Sequence, residues 1–396
     1  MKALEGMKVI DFTQAFSGPF CTMQLADFGA DVIKVERPNL GDQSREWAPR
    51  KDGYSGYYAS INRNKQGLAL DIGTDEGQEA IKRLLKDADV LVENFKVGTL
   101  EKFGLGYENI KKINPGIIYA SISGFGQNTE LKKSPAYDNI IQSLTGFQYM
   151  TGFPNEQEVR CSSAIGDSFT GLNCSLGIIM AYFRKLKTGE GARIDVSMFD
   201  CIFGTLEPHI LAKTMTNKEN YRMGNADYFF FAPYDAYDCK DGWFSIAVRT
   251  NEEFSRFCKI IGRESLSYDK RFSTNTNRCK NADELRKEIL PFFSDKTREE
   301  LETIFTEEGI INAPLLTVSE FIEHPHSKAR KMMVWIDDPG IGRYLATANP
   351  MQMSATPPTY EKAAPLLGED TKRILQNVGF TQEEIERLKA ADVIQI

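Results

Sequence analysis

The chain has 396 residues, of which 41% are hydrophobic and 26% charged, a composition able to bury a sizeable core and long enough for two domains. Its 48 Lys and Arg against 55 Asp and Glu leave a net charge of −7. That balance argues against a general nucleic-acid binder, which needs a basic excess to neutralise phosphates. In chain order, Lys8–Phe12 reads as a short buried strand and Ser17-Gly18-Pro19 as a turn. Cys21–Phe28 reads as a helix stopped by Gly29, and Asp31–Glu36 as the next strand, together the size of a βαβ unit. A helix is expected over Thr74–Asp87, then strands over Val90–Val92 and Ile117–Ile122, the second running into Ser123-Gly124-Phe125-Gly126. This alternation predicts a parallel sheet with helices on its faces. Residues 168–187 predict the most apolar helix, buried and closely packed through Gly171, Ser175, Gly177 and Ala181, followed by a strand at Ile194–Met198. Residues 205–226 are charged and irregular in pattern, and suit a linker. Beyond them a strand at Trp243–Val248 with amphipathic helices marks a smaller second domain, and Thr381-Gln382-Glu383-Glu384 is a capping box for a late helix.

No stretch is long and apolar enough to predict a membrane span. The start, Met1 to Gly6, lacks the apolar run of a secretion signal. The seven cysteines form no C-x-x-C, so neither a zinc knuckle nor a disulfide framework is written, and a reducing cytoplasm is the expected setting. No metal site is expected. His209, His324 and His326 are the only histidines. His324-Pro325-His326 lacks acid or thiol partners in a suitable frame, and reads as surface. Histidine-based nucleophilic schemes therefore have few bases to draw on, and attention moves to carboxylates.

Gly166-Asp167-Ser168 opens the buried helix. An aspartate there caps the orphan N–H groups of the first turn, or serves as a nucleophile kept ionised by the helix N-terminus; both need the same placement. Ser168 has the wrong spacing for G-x-S-x-G. Gly124-Phe125-Gly126-Gln127 falls short of a dinucleotide fingerprint, and Glu36 reads as a solvated strand end. Arg37, Lys96 and Lys102 lie in loops or near strand ends. They are solvated charges, or phosphate contacts at the carboxyl edge of the sheet. Tyr228-Phe229-Phe230-Phe231 is either core or the wall of an apolar pocket.

Several runs in order are similar to one family: Leu4–Phe12, Ser17-Gly18-Pro19, Phe28–Pro38, Val92-Glu93-Asn94-Phe95, Ser123-Gly124-Phe125-Gly126, Thr188-Gly189-Glu190-Gly191, Asp195–Met198 and Pro365–Glu369. Over essentially its whole length the chain resembles the class III, formyl-CoA transferase-like, CoA-transferases. The resemblance implies a Rossmann-like large domain beginning over 1–204 and a linker over 205–228. A small α/β domain over 229–325 follows, then a return linker with C-terminal helices packing on the large domain over 326–396. It also implies an interlocked homodimer. It makes Asp167 the catalytic residue, acylated by a donor acyl-CoA to a mixed anhydride and then converted to an aspartyl-CoA thioester, with no ATP. Coenzyme A and acyl-CoA are then substrates, with no permanently bound cofactor and no nucleic-acid or membrane partner. The implied CoA contacts are Ala15, Phe16, Arg37, Leu70, Asp71, Gly73, Asn94, Phe95, Lys96, Lys102, Ala136, Tyr137 and Asp138.

The chain departs from the formyl-CoA:oxalate enzymes, which carry a glutamine in place of Phe16 and a glycine-rich lid where this chain has Asn225–Asp241. Phe16, Tyr228, Phe229 and Phe230 instead suggest an apolar acyl pocket, and an apolar or aromatic acid, such as a 2-hydroxy acid, as acceptor. The racemase branch of the superfamily needs a His–Asp pair where this chain has Tyr137 before Asp138. A non-catalytic acyl-CoA-binding protein is the remaining alternative.

Overall fold

The computed structural model describes residues 1–219 and 221–396. These residues divide into two compact units: Met1–Phe147, Cys161–Leu211 and His326–Ile396 form the first, and Gln148–Arg160 with Ala212–Pro325 form the second.

In the first unit, strands β1 (Lys8–Asp11), β2 (Asp31–Glu36), β3 (Gln66–Leu70), β4 (Val90–Glu93), β5 (Ile118–Ser123) and β6 (Ala192–Ser197) pair in parallel in the order β3-β2-β1-β4-β5-β6. A short antiparallel strand, β7 (Ile394–Gln395), covers the outer edge of β3. The class is mixed α/β. Alternate strand residues feed two cores. Val9, Val32, Val90, Val92, Ile118 and Ala120 pack under α1 (Ser17–Asp27) and the long helix Ile165–Thr188, through Cys21, Leu25, Cys174 and Ile178. On the opposite face Ile10, Val35, Leu68, Leu91 and Tyr119 pack against α2 (Asp75–Lys86) and the C-terminal helices Thr371–Asn377 and Gln382–Ala390. A sheet buried on both faces in this way reads in sequence as nearly continuous apolar strands.

The second unit has its own core. The antiparallel strands Tyr234–Cys239, Gly242–Ala247 and Ile311–Pro314 bury Tyr237, Phe244 and Ile246 against Phe254, Phe257, Phe293 and Phe305 of the surrounding helices. Gln148–Arg160 joins this unit because Arg222 donates to the carbonyls of Tyr149, Phe153 and Glu156 and pairs with Glu158 at 2.7 Å.

Four expectations need correction. Ser17-Gly18-Pro19 is the first turn of α1 rather than a turn before it, since proline has no N–H to lose in a first helical turn. The span taken as an irregular linker holds a 3₁₀ turn at Gly204–Leu206 and a helix over Glu207–Thr216. Pro208 in the first turn of that helix is compatible with it. Glu36 is buried rather than solvated, because Arg45 closes on it at 2.7 Å. The helix Ile165–Thr188 is not buried all round. Phe169, Leu172, Leu176, Met180 and Phe183 form an exposed apolar row at helical spacing on the face away from the sheet. An apolar face awaiting a cover has the same composition as one already buried, so total hydrophobicity does not separate the two.

Candidate active site

Asp167 lies in the first turn of the helix Ile165–Thr188, but it is not the cap. Ala164 holds that position and makes no side-chain cap. The capping role passes to Asp138, at the start of the helix Asp138–Leu144, whose Oδ1 accepts the Gly166 N–H at 2.7 Å. Asp138 Oδ2 accepts from the Gln142 amide at 2.6 Å, and Gln142 in turn accepts the Cys161 N–H. Asp167 is thus spared a structural duty.

The Asp167 carboxylate lies beside the N-terminus of α1, where the Ser17 N–H and hydroxyl act to lower its pKa. The close approach depends on Gly171, one turn along the helix. A Cβ there would lie 2.6 Å from the Ser17 carbonyl and 3.0 Å from the Phe20 ring. Two helix N-termini therefore converge on one carboxylate, which favours its anion. Burial opposes this and outweighs it. With the negative charge of Asp138 added, it pushes Asp167 up to about 7, while the Ser17 bonds act in the lowering direction. A carboxylate poised near neutrality, desolvated and still able to ionise, is suited to nucleophilic attack.

Tyr57, whose hydroxyl feels the charge of Asp167, belongs to a run of aromatic rings. Phe16 stacks on Phe20 at 5.6 Å and meets Tyr57 edge-on at 5.8 Å, and Trp47 meets Tyr57 at 5.1 Å. Burial, then the charges of Asp167, Asp138 and Asp42, push the Tyr57 hydroxyl up to about 12. It stays a neutral donor beside the acids. Sequence reasoning missed Ser17, Tyr57 and Trp47. Only the first carried a signal, as a residue opening a helix at the carboxyl end of β1.

Of the residues implied as CoA contacts, Ala15, Phe16 and Asn94 adjoin one another. Asn94 Oδ1 accepts the Gln14 N–H at 2.8 Å and its amide returns a bond to the Gln14 carbonyl at 2.7 Å. The Ala15 N–H is taken by Asp42. Glu93, pushed up to about 7 chiefly by burial, accepts the Phe95 N–H and shapes the turn that presents Lys96. Arg37, Lys96 and Lys102 are exposed, and among the described residues they join no salt bridge. Leu70 is buried at 1% exposure, paired with Ile394, and Asp71 accepts the Gly73 N–H. Ala136 lies against Gly124, where a Cβ would come within 2.6 Å of its own. Tyr137 is exposed at 59%. Tyr228 and Phe229 belong to the second unit, where they line a cleft of about 1110 Å³ with Asp235 and Arg286. The Tyr228 hydroxyl is held by Asp235, and Phe230 is exposed. Among the described residues no group of three His, Cys, Asp or Glu is arranged to hold a metal ion, and no helix is long and apolar enough to cross a membrane.

An α/β unit with a buried carboxylate at the carboxyl edge of its sheet suits group-transfer chemistry. The family model described as CoA-transferase family III matches residues 4–371. The chain is 36% identical over 389 residues to a succinyl-CoA:mesaconate CoA-transferase of Haloarcula hispanica, covering 96% of this chain and 97% of that protein. It is 33% identical over 400 residues to the succinyl-CoA:glutarate CoA-transferase of Homo sapiens, covering 100% and 90%. A crystal structure of a CaiB/BaiF family protein from Brucella suis matches with a TM-score of 0.86 at 34% identity, covering 95% of this chain and 99% of that one. The chain belongs to CoA-transferase family III and is an enzyme of that class, whose substrates are CoA thioesters.

Proposed function

We propose that the enzyme moves CoA from an acyl-CoA donor to a free carboxylic acid by way of Asp167. An Asp167 oxygen attacks the thioester carbonyl, forming a mixed anhydride and releasing the CoA thiolate. The thiolate attacks the aspartyl carbon, giving an aspartyl-CoA thioester and freeing the donor acid. The acceptor carboxylate attacks that thioester, and the returning thiolate takes the new acyl group, which restores Asp167. Each step exchanges one acyl–oxygen or acyl–sulfur bond for another, so the thioester energy is conserved without ATP. The observation that carries this reading is the Asp167 carboxylate, held by Ser17 and pushed up to about 7. The exposed Arg37, Lys96 and Lys102 suit the CoA phosphates. The exposed row from Phe169 to Phe183 suits a second copy of the chain in a homodimer, interlocked as the family resemblance implies. Seven free cysteines accord with a reducing cytoplasm.

For the acceptor, the Phe16, Phe20, Trp47 and Tyr57 rings support an apolar or aromatic acid. A second reading is a dicarboxylic acid with succinyl-CoA as donor, favoured by the names of the relatives, which pair succinyl-CoA with mesaconate and with glutarate. Tyr137 in place of a histidine counts against a racemase. Acyl-CoA with hydroxylamine should leave a hydroxamate at Asp167, read by peptide mass spectrometry, and Asp167→Ala should abolish it. An unmodified Asp167 in a preparation that transfers CoA would overturn the scheme and a non-catalytic binder would be left unmodified. A panel of free acids, read as new thioesters by mass spectrometry, decides between the two acceptor classes.

A further inference from the structure

Two lysines lie buried beneath the turn that carries Ser17, and the transfer steps use neither of them. Lys34 is 0% and Lys65 1% exposed. Lys34 Nζ forms an ion pair with Asp42 Oδ2 at 3.0 Å and donates to the Thr13 carbonyl at 2.7 Å. Lys65 Nζ donates to Asp11 Oδ2 and to the Pro19 carbonyl, both at 3.0 Å, and to Asn62 Oδ1 at 2.7 Å. The two acids are as fully engaged. Asp11 accepts the Thr13 N–H at 2.9 Å and the Thr13 and Thr22 hydroxyls at 2.5 and 2.6 Å. Asp42 Oδ1 accepts the Ala15 N–H at 3.1 Å and both Ser44 donors, the N–H at 2.9 Å and the hydroxyl at 2.8 Å.

Burying four charges carries a desolvation cost that their mutual attraction rarely returns in full, so stability alone is a poor account of this cluster. What its members share is the segment they hold. Thr13, Ala15 and Pro19 are all anchored on them, and Gln14 is clasped on both its backbone groups by Asn94. Within that segment Ala15 stands at φ 66, a left-handed conformation that alanine adopts only when its surroundings impose it. Two residues further on, the Ser17 donors reach Asp167.

We propose that the Lys34–Asp42 and Lys65–Asp11 pairs are positioning residues for the transfer reaction. They hold Thr13–Pro19 in its strained turn, so that the Ser17 N–H and hydroxyl stay on the Asp167 carboxylate and fix its direction of attack. Charged groups buried in a low-dielectric interior hold the backbone groups they bond more rigidly than packing alone does. Asn94 ties the same turn to the loop assigned to CoA, so thioester and nucleophile are registered to one segment. This inference rests on Asp167 being the nucleophile.

The test compares wild type, Asp42→Ala and the near-isosteric Asp42→Asn. Three quantities are read: the rate of hydroxamate formation at Asp167 with acyl-CoA and hydroxylamine, the Kd for CoA, and the Tm. A misplaced nucleophile lowers the chemical step by roughly 10²-fold for a displacement near 1 Å. Asp42→Ala should show that loss with the Kd for CoA changed less than about threefold, and Asp42→Asn, which keeps an acceptor for the Ala15 N–H, should recover about half of it on a logarithmic scale. If Asp42→Ala does not fold, Asp42→Asn must still be trapped measurably more slowly than wild type at unchanged Kd. Trapping at the wild-type rate in Asp42→Asn, or a fall in trapping matched by a fall in CoA affinity, overturns the positioning role. Wild type that gives no hydroxamate at Asp167 overturns the underlying mechanism instead.

Discussion

Asp138 and Gly166 meet at the base of the site, where Asp138 Oδ1 accepts the Gly166 N–H at 2.7 Å. The fit leaves no room for a side chain, since a Cβ on Gly166 would lie 2.8 Å from that same oxygen. One carboxylate thus caps the helix from a distance, while Asp167, beside Gly166 in the same turn, is not used as its cap. The arrangement also places two acids close together, and after burial the charge of the first is what raises the pKa of the second.

Acylation should therefore follow the ionisation of Asp167. With this group pushed up to about 7 by burial and by Asp138, kcat/KM should rise about tenfold per pH unit below that value and level off above it. Asp138→Asn removes the negative neighbour, so the rising limb should move to lower pH. A limb at unchanged or higher pH would show that Asp138 does not act electrostatically.

Asp167→Asn should lower transfer by roughly 10³-fold or more, since the amide cannot form the anhydride. It should also stabilise the fold. Between about pH 4 and 7 the folded carboxyl keeps its proton while the unfolded one has lost it, so stability falls as pH rises through that window. The variant lacks this penalty and should be more stable above pH 7 by on the order of 2 kcal/mol, with the gap closing towards pH 4. Denaturant titrations at three pH values check both the sign and the window.

Gly171→Ala should force α1 away from the long helix. Overpacking of this kind costs about 1–3 kcal/mol, and the same shift draws Ser17 off Asp167. Activity should fall by more than the loss of folded protein accounts for, measured as turnover per folded molecule.

Phe16→Gln should weaken the use of bulky apolar acids relative to small polar ones, because it breaks the ring contacts to Phe20 and Tyr57. A competition between the two acid types, read as the ratio of their thioesters, checks this. An unchanged ratio removes Phe16 from the acyl pocket.

The parallel sheet was legible because its strands are apolar on both faces and separated by helical spacing, as in Lys8–Asp11 followed by Asp31–Glu36. Asp167 was legible as a residue at a helix start. Cap and nucleophile have the same local pattern, and the side chain that takes the Gly166 N–H, Asp138, lies 28 residues before Gly166. Lys34 and Asp42 were not legible at all. A lysine within a strand reads as exposed, and its burial depends on an acid beyond the next loop. The exposed row of the long helix was misread for the converse reason, since residue composition does not say which partner covers an apolar face.

The edge of the large sheet is finished late. β3 takes its last neighbour from β7, and its Gly67 N–H is held by Asp370, 303 residues further along the chain. Until the segment around Ile394 has been synthesised and docked, one border of this sheet has unpaired backbone groups that a neighbouring nascent chain can annex. A fusion that blocks Ile394 from docking should therefore lower the yield of dispersed protein even though it lies far from Asp167.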